Sequence, residues 1–354
     1  METTTYKLKD VLKIGNGKDH SALPDGEYPV LGSGGIMRYA NSYLYDGESV
    51  LLPRKGTLNN IQYIKGKFWT VDTCYYTIIN QDIANPYYLY RLLRSFDLSG
   101  LDSGASIPSM TSKTYYGIKI QLPPLPTQQK IASILSAYDD LIQNYKKQIQ
   151  ALQTAASELY KEWFVRFRFP GYQTAKFENG LPAGWKVEKI KNCVNRLHFG
   201  QTYKKDELES EGKIIVIDQS EDEFLGYHNN EPSHKASAEN PIALFGDHSC
   251  KYKLMIKDFS LGENIIPYIS KGVDLYYLYY AVYKIVQTEE YKRHWNLFVN
   301  KKILIPHTEL QNSFRQKIIP MLQRIEIISR QITNLTQQRD LLLPRLMSGK
   351  LEVK

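Results

Sequence analysis

The chain has 354 residues, of which 42% are hydrophobic, and its 45 basic and 37 acidic residues give a net charge of +8. No stretch approaches the ~20 uninterrupted apolar residues of a membrane span, and residues 1–5 lack the regions of an export signal, so we expect a cytoplasmic protein. Three cysteines without a close pair exclude a disulfide framework and a Cys-x-x-Cys metal site, and we interpret them as reduced structural thiols.

The first predicted unit covers residues 6–125 and is rich in short strands, such as 50–52 and 75–79, separated by glycine-rich turns. An amphipathic pattern near 86–97 predicts one helix within it. Three prolines, at 123, 124 and 126, mark its end because proline fits neither a strand interior nor a helix interior.

The central segment predicts a long helix. Thr127 is the expected N-cap, and residues 128–165 contain no glycine or proline, which predicts a length of roughly 58 Å at ~1.5 Å per residue. Pro170 and Gly171 end this helix, and Trp185 lies in the sequence that leads into the second unit.

The second unit repeats the pattern of the first up to about residue 307, with strands at 213–217 and 241–245 and a helix from about 275 to 286. A final helix is predicted from about residue 311 to about 348. Because Pro320 and Pro344 lie inside its pattern, we expect this helix to be shorter and less regular than the central one.

Both long helices carry apolar residues at a spacing of 3.5, which predicts that they pair with each other as a coiled coil. Arg339 is the one polar residue in the pattern of the second helix. The predicted seam consists of Ile131, Leu135, Tyr138, Ile142, Tyr145, Ile149, Leu152, Leu159 and Trp163 in the first helix, and Ile318, Met321, Ile325, Ile328, Ile332, Leu335, Leu342 and Leu346 in the second.

Short segments recur in the same order in both halves, which indicates an internal duplication. Residues 87–90 (Tyr-Tyr-Leu-Tyr) return at 276–279, residues 68–72 are echoed at 259–263, and Lys-Ile-Gln-Leu-Pro at 119–123 returns as Lys-Ile-Leu-Ile-Pro at 302–306. Gln-Lys-Ile at 129–131 returns at 316–318. The predicted organisation is a globular domain (1–126), a long helix (127–168), a second globular domain (169–308) and a second long helix (309–354).

Several motifs suggest chemistry but have simpler structural interpretations. Asn85-Pro86-Tyr87-Tyr88 resembles the base-holding loop of amino-methyltransferases, yet it also fits an N-cap followed by proline at the first helical position, and its counterpart at Asp274 keeps only the capping residue. The glycine-rich segments at 15–17 and 32–35 lack the full spacing of nucleotide-binding loops, so we interpret them as turns.

No pattern of histidines with metal-ligand spacing is present, and the acidic run at 218–223 fits a solvated loop better than a cation site. We therefore expect no catalytic group and no metal in this chain.

Four segments closely resemble the specificity subunit of type I restriction-modification enzymes. They are residues 122–131 (LPPLPTQQKI), 159–164 (LYKEWF), 181–185 (LPAGW) and 341–351 (LLLPRLMSGKL). The resemblance covers essentially the whole chain, with its most specific signals in the helical regions.

The resemblance implies an α+β fold with two similar target-recognition domains, separated by two long helices in an antiparallel coiled coil, as an internal pseudo-twofold repeat. It implies a non-catalytic subunit in which each domain reads one half of a bipartite DNA site. It also implies partners: two methyltransferase subunits that bring S-adenosylmethionine, and restriction or translocase subunits that use ATP and Mg²⁺.

Base reading requires side chains with paired donors and acceptors on loops or short elements. The candidates in the first domain are Lys18, His20, Ser33, Arg38, Arg54, Lys55, Asn59, Ser109, Thr111, Ser112 and Lys113. Those in the second are Gln201, Tyr203, Lys204, Lys205, Gln219, His248, Ser249, Lys251, Lys253, Asn300 and Lys301. The clusters 109–113 and 248–253 are the strongest, because each places small polar and basic residues in a turn.

Two further hypotheses remain open. Residues 1–126 carry 13 basic and 11 acidic residues and residues 169–308 carry 18 of each, and such near-neutral domains also suit a coiled-coil scaffold that binds proteins and not DNA. A self-contained methylating nuclease would need a complete methyl-donor fold, for which the chain leaves no room.

Overall fold

The computed structural model describes residues 2–98, 109–220, 222–288 and 293–353, and the chain divides into two compact units. Unit 1 comprises residues 1–144 with 332–354, and unit 2 comprises residues 145–331. Each unit therefore contains one globular part and a segment of each long helix. None of the helices in the described ranges is long and apolar enough to cross a membrane.

Unit 1 is built on a six-stranded sheet. Its elements are β1 (Thr4–Lys7), α1 (Leu8–Val11), β2 (Leu12–Asn16), β3 (Asp25–Gly32), β4 (Gly35–Ala40), β5 (Tyr45–Pro53), β6 (Gln62–Thr70), β7 (Cys74–Ile79), α2 (Pro86–Arg94), α3 (Ser112–Gly117), β8 (Lys119–Leu122) and the beginning of α4 (Leu125–Tyr160). The sheet order is β2-β7-β5-β6-β3-β4, and β1 pairs separately with β8. Among the described strands of unit 1, only β3 and β6 run parallel, with Leu31 opposite Thr70.

Unit 2 uses shorter strands. After a π-helical turn (Lys161–Val165) follow β9 (Phe177–Glu178), β10 (Leu181–Pro182), β11 (Lys186–Lys189), α5 (Ile190–Cys193), β12 (Val194–Arg196), β13 (Ile214–Ile217), β14 (Gly226–His228), β15 (Ile242–Gly246), β16 (Tyr252–Met255), β17 (Phe259–Leu261), β18 (Ile265–Ser270), α6 (Leu275–Val282), α7 (Trp295–Asn300), β19 (Lys302–Ile305) and α8 (Thr308–Met347). The sheets are ordered β12-β18-β15-β16 and β14-β13-β17.

The two units repeat one topology, which confirms the duplication. The order β2-β7-β5 in unit 1 corresponds to β12-β18-β15 in unit 2, and the β1–β8 pair corresponds to β11–β19. The parallel pairing of β3 with β6 recurs as that of β13 with β17, where Ile217 lies opposite Leu261. The long strand β6 is thus represented in unit 2 by β16 and β17, with residues 256–258 between them.

Two buried glutamines tie the globular parts to the long helices in the same way. Gln128 donates to the Pro123 carbonyl at 2.8 Å and accepts from the Asn85 backbone N–H at 2.9 Å. Gln311 donates to the Pro306 carbonyl at 2.7 Å and accepts from the Asp274 N–H at 2.8 Å. These equivalent contacts place the start of both long helices against the start of α2 or α6.

The helix N-caps confirm the structural interpretation of the Asn-Pro-Tyr-Tyr motif. The Asn85 side chain accepts a hydrogen bond from the Tyr88 N–H. Pro86 occupies the first turn of α2, where backbone N–H groups have no partner within the helix, so the N–H that proline lacks costs no hydrogen bond. Asp274 caps α6 by accepting from the Tyr277 N–H. The motif therefore starts a helix in each unit.

The Gln-Lys-Ile match between 129–131 and 316–318 was wrong by one helical turn. Gln128 corresponds to Gln311 by its contacts, so the structural counterpart of Ile131 is Phe314. Both side chains are fully buried. Because a helix presents the same face every three to four residues, a repeat displaced by four positions keeps its pattern and misleads an alignment.

The long helices differ from expectation in two respects. α4 begins at Leu125, so Thr127 lies within the first turn and does not cap it; Pro126 is tolerated there because first-turn N–H groups have no helical partner. α8 spans 40 residues without interruption and runs through both prolines, whereas the 36 residues of α4 are extended only by the π-helical turn Lys161–Val165, so the expectation of a shorter and less regular second helix was wrong. Pro320 and Pro344 are exposed, where water can solvate the carbonyls that lose a hydrogen bond.

Every position of the predicted seam is buried or half-buried. In unit 1, Leu342 and Leu346 near the end of α8 pack in one cluster with Ile131 and Leu135 near the start of α4. In unit 2, Trp163 in the π-helical turn that follows α4 packs with early α8 residues such as Phe314 and Ile318. The helix segments therefore run antiparallel within each unit.

Arg339, the polar residue in the seam, is paired within unit 1. Its Nη1 donates to Asp139 Oδ1 at 2.7 Å. The other carboxylate oxygen accepts from buried Arg91 and from the Tyr87 hydroxyl, both on α2. Burial alone would raise the pKa of Asp139, but the hydrogen bonds from Tyr87 and Arg339 and the charges of both arginines lower it below its usual value. We call these four residues the Asp139 cluster.

Candidate nucleic-acid interface

Five connecting segments of unit 1 meet at one edge of its sheet. The end of β5 lies between the starts of β6 and β7, because Leu51 pairs with Gln62 and Leu52 with Tyr75. Hydrogen bonds add the neighbouring turns: Asn60 Nδ2 donates to the Ser33 carbonyl at 2.6 Å. We call residues 17–20, 33–34, 54–61, 71–73 and 109–111 the loop edge of unit 1.

Backbone contacts fix the remaining segments of this edge. The Lys18 N–H donates to the Thr70 carbonyl at 2.8 Å, and the Met110 N–H donates to the Arg54 carbonyl at 3.0 Å. Lys55 forms an isolated antiparallel bridge with Ser109. Residues that are far apart in sequence therefore converge on one surface.

The structure brings most of the predicted candidates of unit 1 together here. The exposed ones are Lys18, Lys55, Asn59, Thr111 and Lys113, and the half-buried ones are His20, Ser33, Arg38, Arg54, Ser109 and Ser112. Arg38 lies on β4, where it is paired with Asp25 at 2.6 Å. Ser112 and Lys113 open α3, directly after the edge.

Some of these side chains have structural contacts that restrict them. Asn59 Oδ1 accepts from the Leu98 N–H at 3.0 Å, and Thr111 caps α3 by accepting from the Thr114 N–H. The Arg54 guanidinium lies 5.9 Å from the centre of the Tyr75 ring. Lys18, Lys55 and Lys113 are the exposed cations of the set, and exposed lysines suit phosphate contacts.

Unit 2 has an equivalent edge, formed by residues 197–202, 218–220, 247–251, 262–264 and 293–294, which we call the loop edge of unit 2. The His294 N–H donates to the Asp247 carbonyl at 2.7 Å, which repeats the bond from Met110 to Arg54 in unit 1. The Asp247 N–H donates to the Asn264 carbonyl at 2.9 Å. His248 N–H donates to Gln219 Oε1 at 3.0 Å, joining two more segments.

The predicted candidates of unit 2 are less uniform in exposure. Gln201, Lys204, Lys205, Asn300 and Lys301 are exposed, and Gln219, His248, Ser249, Lys251 and Lys253 are half-buried. Tyr203 is only 5% exposed and its ring stacks on His228 at 4.2 Å, so its ring contributes to packing and does not reach outward. Asn300 and Lys301 lie at the far end of α7 from the loop edge.

Two of the predicted lysines are held against the acidic loop. Lys251 Nζ donates to the Asp222 carbonyl and Lys253 Nζ to the Glu223 carbonyl, both at 2.6 Å. Burial favours the neutral amine and lowers the pKa of Lys253 to about 8. Glu221, which belongs to the same acidic run, lies outside the described residues. The acidic loop therefore covers part of the basic cluster.

A cavity of about 310 Å³ opens at the loop edge of unit 2. Its lining residues are Arg196, Phe199, Asp247, Asn264, Ile266, Arg293, Trp295 and Asn296. The Arg196 guanidinium lies 4.7 Å from the centre of the Phe199 ring, and Asp247 accepts from the Trp295 N–H at 2.9 Å. Two arginines and two asparagines beside aromatic walls are side chains suited to base edges.

Sequence reasoning missed these four polar residues because no local pattern marks them. Arg196 ends β12, Asn264 precedes β18 and Arg293 precedes α7. Aligning the repeat would have pointed to Arg293, because it precedes His294 as Ser109 precedes Met110, and His294 and Met110 donate equivalent bonds to Asp247 and Arg54. Within the described residues, no group of three or more His, Cys, Asp and Glu could hold a metal ion.

Comparison with known proteins agrees with this architecture. Residues 1–154 match the family model of the type I restriction modification DNA specificity domain. The type I restriction enzyme MjaIX specificity subunit of Methanocaldococcus jannaschii is 24% identical over 98% of this chain and 93% of its own length. The MjaVIII specificity subunit of the same organism is 26% identical over 88% and 79%, respectively.

The fold is also similar to a solved structure. The crystal structure of the type I restriction-modification system S subunit from M. genitalium superposes with a TM-score of 0.66, at 15% sequence identity, and covers 98% of this chain and 96% of that one. The identity is too low to transfer residue roles, so the match concerns the fold.

Proposed function

We propose that this chain, which belongs to the family of type I restriction-modification specificity subunits, recognises a bipartite DNA site and performs no chemistry itself. Each unit reads one half-site through its loop edge, and the paired helices set the spacer between the half-sites. The repeat of one strand order and one loop edge in both units carries this proposal. Two equivalent readers in one chain suit a site with two specified halves.

The chain acts with partner subunits in this proposal. Two methyltransferase subunits supply S-adenosylmethionine chemistry, and restriction subunits use ATP and Mg²⁺; the proposal assigns the binding of all three to those partner subunits. α4 exposes Ile134 and Leu141, which are 37% and 39% accessible and lie one heptad apart. Apolar side chains in that arrangement suit a helix that packs against another subunit.

The length of the helices gives the sharpest test. Inserting one heptad into each long helix, after Asn144 and after Gln331, keeps both seams in phase and adds about 10.5 Å. At about 3.4 Å per base pair, the unspecified spacer of the DNA site lengthens by about three base pairs, while both half-sites keep their sequence. Mapping of methylated adenines in a host that carries the variant measures both. Altered half-sites with an unaltered spacer would show that the helices do not set the spacer length.

A scaffold that binds proteins and not DNA is the competing function. Co-expression with a methyltransferase subunit of the same restriction-modification system, followed by measurement of binding to the mapped duplex at several salt concentrations, separates the two. Recognition predicts sequence-specific binding that weakens as salt rises. Stable assembly that ignores every DNA sequence supports the scaffold.

Ile134→Lys with Leu141→Lys is expected to abolish assembly with the methyltransferase subunit without unfolding unit 1, because both side chains are exposed.

A further inference from the structure

Strand β4 exposes apolar side chains beside the loop edge of unit 1. Ile36, Met37 and Tyr39 are 55%, 59% and 50% accessible. β4 lies at the end of the sheet order, so its outer edge carries no neighbouring strand among the described residues. Exposed apolar edge strands promote aggregation, and soluble proteins keep them where they serve a contact.

A β-bulge explains why two adjacent apolar residues face outward. Val30 pairs with Arg38 and Leu31 pairs with Ile36, so Met37 is an additional residue without a partner on β3. In a regular strand, neighbouring side chains point to opposite faces, and a bulge breaks that alternation. The bulge thus places Ile36 and Met37 together at the end of the hairpin nearest the turn.

The turn of this hairpin belongs to the loop edge. Gln62 Nε2 donates to the Gly32 carbonyl at 2.9 Å, and a Cβ at Gly56 would lie 3.3 Å from Ser33 Oγ. Lys55 therefore lies next to the turn. A Cβ added at Gly34 or Gly35 would meet no atom within 4 Å, so the backbone of the turn is open to close approach by a ligand.

We propose that the β3–β4 hairpin enters the major groove and that Ile36 and Met37 contact the methyl groups of thymines in the half-site read by unit 1. The major groove accommodates a two-stranded ribbon, and the thymine methyl is the one apolar group it displays. The inference rests on the proposed function. Cations lie at both ends of the exposed apolar surface of β4. Lys55 lies at the turn, and Lys67 Nζ lies 4.9 Å from the Tyr43 ring at the other end. This arrangement suits DNA phosphates on both sides of a groove.

The described residues of unit 2 show no equivalent apolar surface, which makes the inference specific to unit 1. Its equivalent strand β14 has only three residues; Gly226 and His228 are buried, and Tyr227 packs on Phe224 at 4.9 Å. We therefore expect methyl readout in one half-site only.

Deoxyuridine tests this inference, because it differs from thymidine only by the missing methyl. The full chain, assembled with its methyltransferase, is titrated with the mapped duplex in which each thymine of either half-site is replaced in turn. At one or more positions of a single half-site, affinity falls about fourfold, the value of one buried methyl group. In Ile36→Ser/Met37→Ser the same replacement has no effect. Val187→Ser, an equally exposed apolar position on β11, keeps the wild-type response.

Three outcomes overturn the inference. They are a wild-type complex that is indifferent to every replacement, a double variant that remains as sensitive as the wild type, and a double variant that binds DNA normally but loses its methyltransferase. The third outcome would identify the exposed apolar surface of β4 as a protein contact. Failure of the wild-type complex to bind any duplex instead refutes the proposed function.

Discussion

The Asp139 cluster allows a quantitative test of how unit 1 is attached to its helices. Arg91, Asp139 and Arg339 have side chains that are only 5%, 24% and 19% accessible. Asp139→Leu removes the acceptor for both arginines and leaves two poorly solvated charges, which costs about 3–5 kcal/mol of unfolding free energy. Arg339→Ala leaves Asp139 paired with Arg91 and costs less, about 1.5 kcal/mol.

Unit 2 shows what an apolar version of this site looks like. By the equivalences fixed above, Arg91 corresponds to Tyr280, Asp139 to Leu322 and Arg339 to Ala156, and these three pack in one hydrophobic cluster. The triple variant Arg91→Tyr/Asp139→Leu/Arg339→Ala therefore removes every charge at once. We expect it to recover most of the loss, because a buried ion pair replaced by packed apolar groups is often neutral in stability.

Urea unfolding followed by circular dichroism gives the free energies, and hydrogen exchange of α2 assigns them to unit 1, with α6 of unit 2 as an internal control. Acid provides an independent check. Because the pKa of Asp139 is lowered in the folded state, its contribution is complete above the unfolded value of about 3.9 and is lost as pH falls through the folded value. Asp139→Leu should flatten the acidic part of the curve of unfolding free energy against pH.

The reasoning is refuted by either of two results. A loss below about 1 kcal/mol for Asp139→Leu would mean that the arginines find water when the carboxylate is gone. A triple variant as unstable as the single one would mean that the charges are not the cause of the loss.

Three further predictions follow from single contacts. Gln128→Leu and Gln311→Leu each lower the free energy of unfolding of their own unit by about 2–3 kcal/mol, because buried N–H and carbonyl groups lose their partner. Hydrogen exchange shows which unit responds. Between pH 8 and 10.5 the stability of unit 2 rises, because unfolded Lys253 binds a proton that the folded amine has lost, and Lys253→Met abolishes this rise in urea titrations. Gly17→Ala costs about 3 kcal/mol in thermal unfolding, since its Cβ would lie 1.9 Å from the Val71 carbonyl oxygen.

Local and periodic signals in the sequence were sufficient for the architecture. The seam pattern located both helices, and the repeated Tyr-Tyr-Leu-Tyr segments located α2 and α6. Asn85 and Asp274 were correctly interpreted as caps, since capping depends on residues only three positions apart. Such features are determined by neighbours in sequence, so one chain without an alignment is enough to read them.

The loop edges were only partly predictable because they are assembled from distant segments. Lys55 meets Ser109 through a bridge between positions 54 residues apart in number, and Arg196 meets Arg293 at one cavity. The sequence made Tyr203 a candidate for an exposed base contact, yet its ring stacks on His228 inside unit 2. The regularity of α8 through Pro320 and Pro344 was also mispredicted, because the cost of a helical proline depends on whether the lost bond faces solvent.

In each unit, the loop edge and the contacts to the long helices lie at opposite ends of a single strand. β7 begins at Cys74, beside the loop edge, and ends at Ile79, just before the residues that Gln128 binds. Six residues of strand span about 20 Å, so a substitution at the loop edge does not reach the helix contacts. β18 and Gln311 repeat the arrangement in unit 2. Under the proposed function, loops placed this way can change their DNA target while the contacts that hold the unit to its helices stay intact, which agrees with twin units that share their glutamines and caps but differ at their loop edges.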